Sequence, residues 1–152
     1  MDYVRYIREK VGHSEIILNC AGCIIYNEFN QILLHKRRDC EQWGFMGGVV
    51  ELGESVAEAA VREVFEESGL RVEIDSLYGV YSKYFDKYSN GDKAQVISHI
   101  FTAHVVGGSE IYQNEETMEL RYFDIDKTPK LFNQQHQDLL DDLINKKTNV
   151  FK

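Results

Sequence analysis

With 152 residues, 43% hydrophobic and 28% charged, the chain is long enough for one domain with a real core and too short for two comfortable ones. Its formal charge of −8 argues against a broad nucleic-acid surface and sets an overall field that repels phosphates unless local cations reverse it. No apolar run approaches the roughly 20 residues of a membrane span, and Met1–Arg5 does not read as the start of a secretory signal, so a cytoplasmic protein is expected.

Asp2 to Val11 reads as a short helix with Val4, Ile7 and Val11 on one face, ended by Gly12-His13. Ile16 to Tyr26 is apolar and β-branched enough for a strand, and Asn27-Glu28-Phe29-Asn30 turns it into a second strand, Gln31 to Lys36. The pair reads as a hairpin. Cys20 and Cys23 have half of a zinc-site spacing, but three residues apart on a strand they point to opposite faces. They are read as buried small apolar groups, and the lack of a disulfide framework fits a reducing compartment. Arg37, Arg38 and Asp39 open a loop that ends at Trp43-Gly44-Phe45-Met46-Gly47.

The glycine-rich run from Gly47-Gly48 to Gly53-Glu54 leads into a helix. Ser55 suits its N-cap, Glu58 the acid of a capping box, and Gly69 the left-handed position that ends it. At about 100° per residue, Ala57, Ala60, Val61, Val64 and Phe65 share an arc that must face a core. Glu63, Glu66 and Glu67 share another, and both Glu66 and Glu67 are expected to be exposed. Crowded carboxylates repel one another, and a hard divalent cation with oxygen ligands reverses that repulsion.

Arg71 to Asp75 and Leu77 to Phe85 read as two strands, followed by an Asn90-Gly91 hairpin turn. Ala94 to Val106 is nearly continuous in apolar residues, which predicts burial on both faces. Gly107-Gly108-Ser109 breaks it, an acidic segment follows, and Leu120 to Ile125 is a short strand. After Pro129, Phe132, His136, Leu139, Leu140, Leu143 and Ile144 recur at helical spacing, with Lys146 and Lys147 at the end. One mixed sheet with helices on both faces accounts for this order. The five histidines show no paired ligand spacing and are read as structural.

Gly48, Glu54, Arg62, Glu63, Val64, Glu66, Glu67, Gly69 and Leu70 fit the pattern G-x5-E-x7-R-E-U-x-E-E-x-G-U, with U a bulky aliphatic, without a gap or a substitution. The chain therefore resembles the Nudix hydrolases over about residues 16 to 126, with the signature at 48–70. Met46 stands where that family usually has a proline before Gly-Gly. The resemblance implies a single α/β domain, the α/β/α sandwich with a mixed sheet, extending over 1–152. It also implies hydrolysis, with Mg²⁺ or in its place Mn²⁺, of a phosphoanhydride in a nucleoside diphosphate linked to some group X. A nucleotide-binding module that does not cleave, and an isomerase of the same fold, are the competing readings.

Carried over position by position, the resemblance makes Glu63, Glu66 and Glu67 metal ligands, with the Gly47 carbonyl beside them. Glu54 assists and Arg62 orients the acids. A general base lies outside the signature, among Glu115, Glu116 and Glu119, with Glu119 favoured because it abuts a strand. Arg37, just past a strand end, is a candidate phosphate ligand. Strict alternation from Tyr78 to Tyr84 puts Tyr81, Lys83 and Phe85 on one face, so Tyr81 and Phe85 are candidates to stack on a nucleobase. Core packing or a homodimer contact is the alternative use of that strand's tyrosines. The markers that identify X in some subfamilies are missing, apart from Tyr88 in roughly the place of a dinucleoside polyphosphate marker.

Overall fold

The computed structural model describes residues 2–111 and 113–152. Asp2 caps helix α1 (Tyr3–Val11) by accepting from the Arg5 N–H, and Gly12 takes the positive φ of 61° that ends it. Strands β1 (Ile16–Ile25), β2 (Ile32–Arg37), β3 (Trp43–Gly44) and β4 (Met46–Val49) precede helix α2 (Val56–Ser68). Then come β5 (Leu70–Lys87), β6 (Lys93–Gly108), β7 (Thr117–Phe123), α3 (Gln134–Ile144) and β8 (Val150–Phe151).

Five strands form a mixed sheet in the order β4-β1-β6-β5-β8, with helices against both faces. Ala21, Cys23 and Ile25 of β1 pack under α2 with Ala59, Ala60 and Val64, while Ile24, one residue out of phase, joins the cluster of Leu139, Leu140 and Leu143 on α3. Tyr3 and Val4 of α1 rest on a smaller cluster, Leu18, Ala94 and Val96. The expected α/β sandwich with a mixed sheet is therefore what forms. Cys20 and Cys23 fall into different clusters, and burial pushes both thiols up to about 12.

The expected single sheet and the β1–β2 hairpin need correcting. The turn forms, with Asn27 Oδ1 accepting from the N–H groups of Phe29 and Gln31, but only a bridge between Tyr26 and Ile32 joins the two strands. Both edges of β1 are already taken, by β6 along its whole length and by β4 from Cys20 to Cys23. β2 therefore leaves to form a second, three-stranded sheet, β3-β2-β7. The expectation for β6 is also too simple. From Ala94 to Ala103, where β1 and β5 both flank it, buried and half-buried residues alternate; beyond Ala103 it loses β1, and Val105 and Val106 are exposed.

The two strands expected in 71–85 are one bent strand, β5, with four register shifts against β6. One shift decides the fate of the aromatic face. Tyr81 lies opposite Ser98 and Tyr84 opposite Val96, so three steps on β5 face two on β6, and this bulge reverses the alternation. Tyr81 and Tyr84 both turn to α3, donating to Asp142 Oδ2 and Asp138 Oδ2 at 2.8 and 2.7 Å, while Phe85 points outward, 59% exposed. Tyr81 is 0% exposed and has no base to stack on.

Asp142, 2% exposed, also meets Lys147 at 3.2 Å and Lys152 at 3.0 Å, so its charge is matched and held below the usual carboxylate range against the opposing effect of burial. Tyr81→Phe removes one of these donors from a buried carboxylate and should cost about 1–3 kcal/mol in urea denaturation, with KM unchanged. A raised KM at wild-type stability would return Tyr81 to the substrate.

Candidate active site

Helix α2 starts and stops as its sequence requires. Ser55 Oγ accepts from the Glu58 N–H, Glu58 accepts from the Ser55 N–H, and Gly69 closes the helix at φ 75°. Its rotation, however, differs from the expected arc. Ala59, Ala60, Val64, Glu67 and Ser68 are buried, whereas Phe65 is 51% exposed. The helix turns Glu67 inward because the protein supplies partners there: Oε1 accepts from the Gly47 N–H at 2.8 Å, and Oε2 lies 2.9 Å from His35 Nε2. Glu67 is 3% exposed, which corrects the expectation that it faces solvent.

His35 is held from its other side. Thr117 Oγ1 gives its one proton to the Glu67 carbonyl at 2.8 Å, so it receives one from His35 Nδ1, 3.0 Å away. The ring's Nε2 is close to the Glu67 carboxylate but off the hydrogen-bonding axis.

Arg62 organises the remaining acids. Its Nε and Nη2 reach the two oxygens of Glu54 at 2.6 and 2.9 Å, Nη1 reaches Glu63 at 2.7 Å and Glu66 at 3.3 Å, and Nη2 also donates to the Val49 carbonyl. The Arg62 hydrogen bond lowers the pKa of Glu54, while the guanidinium itself is held more firmly protonated by Glu54 and then Glu63. Glu63 differs. Burial raises it to about 7, Arg62 opposes this, and the neighbouring charges of Glu67 and Glu66 add to it.

Glu63, Glu67 and Glu116 bring one carboxylate oxygen each within 4.8 Å of one another. Glu116 comes from the acidic segment before β7, where Asn114 acts as a clip. Its Oδ1 accepts from the N–H groups of Glu116 and Thr117, and its Nδ2 donates to the Glu66 carbonyl at the end of α2. Burial, then Glu67 and Glu66, raise the Glu116 carboxyl. Three crowded oxygens, two of them on carboxyls raised by burial and then by neighbouring carboxylates, fit a hard divalent cation. Glu66 lines the same cavity of about 590 Å³ but leans to Arg62 at its rim. Glu119 does not line it. It sits in register with Lys36 on β7 and pairs with Arg121, which corrects the preference for it over Glu116.

A second cavity, about 390 Å³, shares Arg37, Gly47 and Gly48 with the first. Phe45, Tyr88, Phe132 and His136 line it; Tyr81 and Phe85 do not. Arg37 stands between the two, its Nε and Nη2 on Asp39 and its guanidinium 4.2 Å from the Phe132 ring centre. Sequence spacing alone gives no sign of this wall, because its parts come from the β3–β4 junction, the β5–β6 turn, and the first turn of α3 with the residues just before it. The Asn114-x-Glu116-Thr117 turn is the one local signal that points to Glu116.

A family model for the NUDIX domain matches residues 18–143. The chain belongs to the Nudix family of hydrolases. It is 37% identical over 109 residues to a provisionally named 8-oxo-dGTP diphosphatase of Bacillus subtilis (strain 168), covering 72% of this chain and 68% of that one. It is 40% identical over 110 residues to the ADP-ribose pyrophosphatase of Methanocaldococcus jannaschii, covering 70% and 62% respectively, the latter just under two thirds of that protein. The crystal structure of a Nudix hydrolase from Nitrosomonas europaea superposes with a TM-score of 0.70 at 25% identity, over 92% of this chain and 82% of that one. Nudix hydrolases work with divalent metals, and the acidic cluster is where this chain has the donors for one.

The glycines of β4 separate stability from site geometry. A Cβ on Gly47 would lie 2.6 Å from the Ala21 carbonyl and 2.7 Å from Gly22 Cα, both backbone, whereas the three atoms nearest to one on Gly48 are those of the Glu63 carboxyl, from 2.5 Å. Gly47→Ala should therefore cost about 2 kcal/mol or more in thermal or urea unfolding, like other forced backbone shifts. Gly48→Ala should stay within about 1 kcal/mol of the parent while its divalent-cation affinity falls, measured by Mn²⁺ binding. Unaltered Mn²⁺ binding in Gly48→Ala would separate Glu63 from the metal.

Proposed function

We propose that the protein hydrolyses a phosphoanhydride bond in a nucleoside diphosphate linked to a further group X, with Mg²⁺, or Mn²⁺ in its place, as the working cation. The products are a nucleoside monophosphate and phosphorylated X, or pyrophosphate where X is a phosphate. The observation that carries this is the cluster of Glu63, Glu67 and Glu116 in a cavity that shares Gly47 and Gly48 with a second cavity with aromatic walls.

A divalent cation supplies charge neutralisation on the phosphates and a bound water of lowered pKa. Glu63, Glu67 and Glu116 would hold it, with the Gly47 carbonyl as a further oxygen and Glu66 at the rim. Arg62 positions Glu54, Glu63 and Glu66 and leaves substrate alone, since its donors are committed to them. Glu116 replaces Glu119 as the carboxylate placed to take a proton from the attacking water. Arg37 keeps its Nη1 free of partners among the described residues and would grip a phosphate between the two cavities. The second cavity, apolar with a few polar groups, suits the nucleoside end.

The relatives named above act on different X groups, so the reading stops at the substrate class. A panel of nucleoside diphosphate derivatives, scored by product identity with Mg²⁺ and Mn²⁺, tests it. Glu63→Gln and Glu116→Gln should each lose about a hundredfold or more in kcat, roughly 2.7 kcal/mol of barrier, with Glu119→Gln within about threefold of the parent. Nucleotide binding with no phosphate product from any panel member would make the protein a binding module instead.

A further inference from the structure

The polar groups on the wall of the second cavity are not equally available. Ser98 Oγ donates to Gln135 Oε1, and Gln135 Nε2 donates to the carbonyls of Tyr81 and Val96, so these side chains are committed to the fold. His136, beside them on the same wall, is different. Its Nδ1 accepts from the Phe45 N–H at 3.0 Å. A backbone amide can only donate, so Nδ1 carries no proton and the ring's one proton sits on Nε2.

The ring is held in place as well as in tautomer. Phe132 stands edge-on with centroids 4.4 Å apart, and Phe45 lies 5.9 Å away. Gly44 leaves room for this packing, since a Cβ there would lie 2.7 Å from the Phe132 ring and 3.1 Å from His136 Nδ1. Asn133, the N-cap of α3, fixes the backbone by accepting from the His136 N–H at 2.9 Å. Burial, then the charges of Arg37 and His35, hold the imidazole's pKa down to about 3, so it stays neutral. Among the described residues Nε2 has no hydrogen-bond partner, yet it is not one of the buried orphans. It is a neutral N–H donor on a half-buried residue that lines the cavity.

We infer that His136 is a specificity residue, its Nε2–H pairing with a hydrogen-bond acceptor, a ring nitrogen or carbonyl oxygen, on the substrate's nucleobase. The inference rests on the reading of the second cavity as the nucleoside's. A neutral donor held by packing tells an acceptor edge from a donor edge, which a flexible cation does not do.

Product binding tests it, with GMP, AMP, CMP and UMP as probes of the second cavity and inorganic pyrophosphate as a probe of the acidic one. His136→Asn keeps an oxygen able to accept from the Phe45 N–H but withdraws the outer donor, and His136→Phe removes both. Each should weaken the best-bound monophosphate by about fivefold or more, with pyrophosphate affinity within twofold of the parent. In the parent protein, side-chain ¹⁵N spectra should show the proton on Nε2, and the Nε2 signal should shift when that monophosphate is added. Monophosphate affinities that are unchanged, or a loss shared equally with pyrophosphate, would overturn the inference. So would a proton on Nδ1. A parent that binds pyrophosphate but none of the monophosphates would remove the nucleoside from the second cavity while leaving the hydrolytic reading intact.

Discussion

The Glu67 carboxylate, taken almost wholly out of water, is the contact on which the rest of the site depends. It ties α2 to β4 through the Gly47 N–H and to β2 through His35, while its own carbonyl receives the Thr117 hydroxyl from β7. Four elements from both sheets and a helix thus meet at one residue. A buried charge with partners is expensive to leave without them, so this contact fixes the rotation of α2. That rotation decides that Glu63 faces the cavity and Phe65 faces solvent.

From Glu67 outward, the acids are arranged against their mutual repulsion. Arg62 offsets part of it by engaging Glu54, Glu63 and Glu66 with one guanidinium, whose planar fork suits several carboxylates at once. Burial raises the carboxyls of Glu63 and Glu116, and the charges of Glu67 and Glu66 add to it. The Asn114 clip ties the segment that carries Glu116 to the end of α2. The chain's charge of −8 makes a local cation the necessary counterpart for any phosphate that enters.

The two cavities divide the work of recognition by their chemistry. The acidic one is lined by Glu63, Glu66, Glu67 and Glu116, and the aromatic one by Phe45, Tyr88, Phe132 and His136. Arg37, stacked on Phe132 and braced by Asp39, marks the boundary. Its two braced nitrogens keep the guanidinium from swinging to the nearby glutamates and so keep the boundary in place.

Features that depend on near neighbours along the chain are legible in the residues themselves. The capping box at Ser55 and Glu58, the stop at Gly69, the helix from Asp2 and the family signature are all local patterns, and all appear where their spacing puts them. The acidic helix face was legible for the same reason. Whatever depends on partners far away in the chain came from the fold. Which glutamates face inward followed from Gly47, His35 and Thr117, and β1 shed its hairpin partner because β4 and β6 took both its edges. The bulge between Tyr81 and Tyr84 arises from the register against β6, and one added residue sends a whole run of side chains to the other face. That is why Tyr81, read as a platform for a base, lies in the core, and why the aromatic wall is built by Phe45, Tyr88 and Phe132 from three separate parts of the chain.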